Sequence, residues 1–67
     1  MHYSFTIEVL SPGGVQWQFY ESLEDTLAGL LTHVYCVRKA FPSCAVRAID
    51  MATGQVVNLI RGTYADE

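Results

Sequence analysis

A single stretch of this chain repeats its apolar residues every three or four positions, and nothing on either side of it does. Leu23, Leu27, Leu30, Leu31, Val34, Val37 and Phe41 fall on one stripe of a helix that turns about 100° per residue. Ser22 is placed to cap its start, with Asp25 three residues on as a weak form of the capping box. Glu21, Glu24 and Asp25 cluster at the start and Arg38 and Lys39 near the end, both in the sense that complements the helix dipole. Pro42 ends it, because the residue before a proline avoids the α region. Gly29 is its one internal weakness. One helix cannot bury its own stripe, so the flanking segments must supply the surface it lies on.

Those segments read as strands. Tyr3, Phe5, Ile7 and Val9 alternate with Ser4, Thr6 and Glu8, the period-two pattern of a half-buried strand. Ser11-Pro12-Gly13-Gly14 then supplies a hairpin connection. Alternation resumes as Val15, Trp17 and Phe19 against Gln16 and Gln18, which gives the first hairpin one aromatic face and one polar face. After the helix, Cys44 to Asp50 and Gln55 to Arg61 read as two further strands, turned at Gly54. These two alternate poorly. Ala45 and Ile49 oppose Val46 and Ala48, and Val56 and Ile60 oppose Val57 and Leu59, so the second hairpin is apolar on both faces.

The expected fold is therefore α+β: a ββαββ domain over residues 1–61, with an antiparallel-rich sheet and the helix packed on one face. Residues 62–67 read as a short polar tail without order. The helix stripe is expected to cover Tyr3, Phe5, Ile7, Val9, Val15, Trp17 and Phe19, leaving a sheet face without aromatics or cations. The order of strands in the sheet is not fixed by this reasoning.

Size and charge narrow the function. A chain of 67 residues buries only about 60% of its unfolded surface and is marginal alone; small scaffolds usually add disulfides, a metal or a partner. Charged residues are 16% of the chain, against roughly 25% in an average domain, so part of the uncharged surface reads as interface. The net charge is −3, with only Arg38, Lys39, Arg47 and Arg61 positive. Nucleic-acid binding, which draws on Lys and Arg to neutralise phosphates, is not expected. Neither is a membrane span or a signal peptide, and Cys36 and Cys44 make no disulfide framework. The expected setting is cytoplasmic.

Candidate chemistry is sparse. His33 and Cys36 are neighbours on a helix surface, and Cys44 follows the Pro42-Ser43 turn. Structural zinc takes four ligands, often in two short-spaced pairs, and His2 is distant, so no metal or other cofactor is expected. A nucleophilic cysteine needs a base, an orienting group and exposure on a turn; Cys36 lies inside the helix, and catalysis is not expected. Pro12-Gly13-Gly14 joins two strands and does not open a helix, so it is not a phosphate loop. The back of the helix, Ala28, Thr32, Tyr35, Cys36 and Lys39, carries one charge and reads as a contact surface.

The leading expectation is a non-enzymatic interaction or regulatory protein acting as a homodimer, its partner otherwise unknown. Its candidate interface is Ala45, Ile49, Val56, Val57, Leu59, Ile60, Thr32 and Tyr35. Another protein is the alternative occupant of that surface. The competing classes are a small-molecule carrier with a pocket between Trp17 and the helix, and an enzyme built on His33 and Cys36. A deep cavity favours the first, a short His33–Cys36 hydrogen bond the second, and a large symmetric apolar patch the dimer.

Overall fold

The computed structural model describes residues 2–62. Its elements run β1 (Tyr3–Leu10), β2 (Gln18–Asp25), α1 (Leu27–Ala40), β3 (Ala45–Asp50) and β4 (Val56–Ile60). This is the expected ββαββ order. The four strands form one antiparallel sheet in the order β2-β1-β3-β4. The two hairpins thus lie side by side, joined through β1 and β3, and β2 and β4 are the edges.

The core is small. Phe5 and Ile7 on β1, Val46 and Ala48 on β3, and Leu30, Val34 and Val37 on α1 are buried, with Val9, Leu23 and Ile60 packed against them. Buried sheet residues come from the two central strands alone. Burying five such side chains almost completely (Phe5, Ile7, Leu30, Val34 and Val46) contributes about 1.5–3 kcal/mol each. Three residues of the expected stripe are more open: Leu27, Leu31 and Phe41 remain exposed.

The start of the helix departs from expectation. Ser22 is not its cap; it lies in β2, opposite Thr6. Thr26 is the N-cap, and its Oγ1 accepts from the Gly29 N–H at 3.1 Å. Leu23, Glu21 and Glu24 accordingly belong to β2 and not to the helix. β1 is eight residues long, and pairing it to its end draws the chain as far as Asp25, opposite Tyr3. That ladder outweighs the weak capping signal at Ser22. The far end is as expected: Arg38 and Lys39 lie in the last turn, and the Phe41 N–H donates to the Val37 carbonyl just before Pro42.

The first connection is also longer than a tight turn. Gly13 adopts φ +75° and the Gly14 N–H donates to Ser11 O at 2.9 Å, so the Ser11–Gly14 turn is present. Val15 to Trp17 then continue outside the ladder before β2 begins. At the other end of the chain, Gly62 is buried. A Cβ there would lie 2.5 Å from Ser43 O and 2.8 Å from Ser43 C. Only glycine lets the chain leaving β4 pass so close to the Ser43 backbone. The rest of the expected tail, residues 63–67, lies outside the described residues.

Candidate functional site

The alternation of β2 breaks at a bulge. Ile7 faces Glu21, but Glu8 faces Phe19, so Tyr20 is an extra residue between them. A bulge reverses the facing of everything beyond it. Glu21 and Tyr20 both turn to the helix side. Glu21 pairs there with His33 Nε2 of α1, and Tyr20 packs edge-on against Phe41, with ring centroids 5.4 Å apart. Phe19 shares a face with Glu8, away from the helix.

Trp17 goes with it. The Arg47 guanidinium sits 4.3 Å from the centroid of the Trp17 ring, and Arg47 lies between Val46 and Ala48, both buried against the helix, so it points to the opposite face. Arg47 also binds Glu8, at 2.6 Å from Nη2 and 2.7 Å from Nε. The expected burial of Trp17 and Phe19 beneath the helix is therefore wrong. So is an open face free of aromatics and cations: it carries Trp17, Phe19 and Arg47. The period-two pattern could not anticipate this, since the bulge at Tyr20 has no glycine or proline to announce it.

The expected interface residues divide between two places. Ala45 and Ile49 lie on the open face with Arg47, both half-buried, while Val46 and Ala48 take the core. Leu59 pairs with Arg47 and Val56 with Ile49, so these too are on the open face. A second bulge leaves Val57 as the extra residue of β4. On the helix side of the same edge strand, Thr32, Tyr35, Cys36, Arg38 and Lys39 meet Ile60 around an open groove of about 460 Å³. Thr32, Tyr35 and Ile60 are thus brought together, and the remaining five flank the same strand or its neighbour.

Sequence reasoning missed part of this surface. Leu27 and Leu31 continue the row of Tyr35 and Arg38 at helical spacing. Leu27, Leu31, Tyr35, Val56, Val57 and Leu59 are each 42–65% exposed. Counting every leucine of the stripe as core hid that row; the width of the stripe, broader than one row of sheet contacts requires, was the available signal.

The chemistry-bearing residues stay apart. His33 engages Glu21, while Cys36, exposed, and Lys39 line the groove beside Ile60. Among the described residues, no three His, Cys, Asp or Glu side chains are grouped so as to hold a metal ion, and no helix is long and apolar enough to cross a membrane. No family model, curated protein or solved structure matches this chain.

Proposed function

We propose that this protein is a non-enzymatic interaction protein that works as a homodimer, joined over the aliphatic surface around β4. The observation that carries the reading is the collection of half-exposed apolar side chains about one uncharged strand: Val56, Val57 and Leu59 on β4, and Leu27, Leu31 and Tyr35 on the helix flank. Isolated exposed leucines are ordinary, but this many exposed apolar residues about one edge strand mark a contact surface. A core of seven buried apolar residues among those described also gains from sharing burial with a second chain.

The other classes find less support. A carrier needs room between sheet and helix, and that layer is filled by Phe5, Ile7, Leu30, Val34 and Val46. The open face has aromatics able to stack bases, but its cation, Arg47, is neutralised by Glu8, and Glu24 stands on the same face. Two unpaired cysteines, Cys36 and Cys44, suit a reducing compartment and support a cytoplasmic setting.

The test is a molar mass by light scattering or sedimentation at tens of micromolar, about the range in which a useful dimer persists. Twice the 7.5 kDa of one chain is expected. A monomer would overturn the homodimer and leave the surface to a different protein.

A further inference from the structure

Resting on that self-association, we propose that the second copy adds at the free edge of β4, antiparallel and about a two-fold axis, so that two four-stranded sheets run on into one. The alternatives it excludes are stacking of the open faces and head-to-tail assembly.

The two edges of the sheet differ in the way that decides which is available. An edge strand presents outward N–H and C=O groups that any extended segment can pair with, and charges along the strand are a common protection. β2 has the sequence Gln-Phe-Tyr-Glu-Ser-Leu-Glu-Asp, with three acids and no cation. Two β2 strands side by side would set those acids against one another. β4 is Val-Val-Asn-Leu-Ile, with no charge and no proline. A partner strand laid along it meets apolar side chains on both sides: Val56 and Leu59 toward the open face, and Ile60 with Tyr35 at the groove toward the helix.

Charge selects the antiparallel, two-fold arrangement. Arg38 Nε donates to the Arg61 carbonyl at 2.7 Å, which holds the helix end beside the end of β4. Arg38, Lys39 and Arg61 thus gather at one end of the strand. At the other end stands Asp50, whose N–H donates to Gln55 O at 2.9 Å. Parallel pairing of two β4 strands would place the cationic ends together. Antiparallel pairing places each beside the partner's Asp50 and makes the contact self-complementary, as a two-fold interface must be. Opposed signs across an interface fix its register and suppress the wrong alignment.

Two measurements test this. The double variant Val57→Lys/Leu59→Lys changes exposed side chains, so the monomer fold, checked by circular dichroism, is expected to persist while dimer dissociation becomes at least about tenfold easier. In a Cys36→Ser/Cys44→Ser background, single cysteines placed at Val57, Asn58, Leu59 and Ile60 are then oxidised in turn. The same residue from two copies meets near a two-fold axis, so at least one of these is expected to form a disulfide dimer, while Phe19→Cys on the open face does not. A dimer that cross-links at Phe19→Cys and at none of the β4 positions overturns the edge arrangement and leaves the homodimer standing. A monomeric wild type overturns both. A mass that grows past the dimer with concentration signifies head-to-tail addition of β4 to the acidic β2 edge, and overturns the two-fold axis.

Discussion

Replacing a glycine inside a helix with alanine ordinarily stabilises a protein by about 0.8–1.0 kcal/mol; at Gly29 of this protein that gain is expected to vanish. The Asp25 carboxylate occupies the place where the new methyl group would go. A Cβ on Gly29 would stand 2.6 Å from Asp25 Oδ2 and 2.5 Å from Cγ, well inside ordinary contact. The carboxylate accepts the Thr26 N–H at 2.7 Å, so moving it aside removes a charge-assisted hydrogen bond at the mouth of the helix. Loss of such a hydrogen bond costs about 0.5–1.5 kcal/mol, and more where the acceptor is charged. Set against the propensity gain, Gly29→Ala should leave stability unchanged or lower it by about 1 kcal/mol. In an Asp25→Ala background nothing obstructs the methyl group, and the same substitution should recover its full gain of about 0.8–1.0 kcal/mol. The coupling between the two sites is then about 1–2 kcal/mol. Urea denaturation of the four proteins, followed by circular dichroism at one fixed concentration because self-association shifts apparent stability, reads it directly. In thermal scans each kcal/mol moves Tm by about 4–8 °C at this size. Equal stabilisation by Gly29→Ala in both backgrounds would show that the carboxylate does not sit over the glycine, and the account of the helix start would fail with it.

Trp17→Ala should cost about 1–2.5 kcal/mol, made up of partial burial and an Arg47 contact of about 0.5–1 kcal/mol. Phe5→Ala, from the closed core, should cost about 3–5 kcal/mol. Equal costs in urea denaturation would return Trp17 to the core. The paired substitution Cys36→Ser/Cys44→Ser should keep fold and association within about 1–2 kcal/mol, and stoichiometric zinc by elemental analysis of the purified wild type would refute that dispensability.

How much of this was legible in the sequence depends on the range of the interactions involved. The order of elements was legible, because a helix stripe between two alternating segments is a local pattern and Pro42 is a local stop. The second hairpin was placed within a residue or two, and its two-sided apolar character survives as Val46 and Ala48 inward with Ala45 and Ile49 outward. The helix start was not legible. Ser22 with Asp25 and Thr26 with Gly29 are rival caps four residues apart, and the choice falls to pairing with β1, a contact between residues about twenty apart in sequence. The facing of Trp17 and Phe19 was not legible either. One extra residue at Tyr20 reverses the parity of the strand, and a bulge without glycine leaves no mark in composition.

Among the described residues, the two edges of this sheet differ in how the helix meets them. A helix is about 10 Å wide and strands lie about 4.8 Å apart, so a single helix covers two strands of four. Here its backbone lies nearest β3 and β4, while the fully buried sheet side chains, Phe5, Ile7, Val46 and Ala48, come from β1 and β3. β2 and β4 are the two edges. The β2 edge is tied to the helix from within the chain, since Glu21 meets His33 and Tyr20 meets Phe41, and its remaining acids are content in water. At the β4 edge Ile60 shares an open groove with Thr32, Tyr35 and Arg38, and Leu27 and Leu31 stay exposed on the helix. What suits that space is another strand with an apolar helix flank above it, at the same spacing of layers. A second copy of the chain, turned by half a revolution, would offer both in one piece, which is the arrangement the cysteine cross-links test.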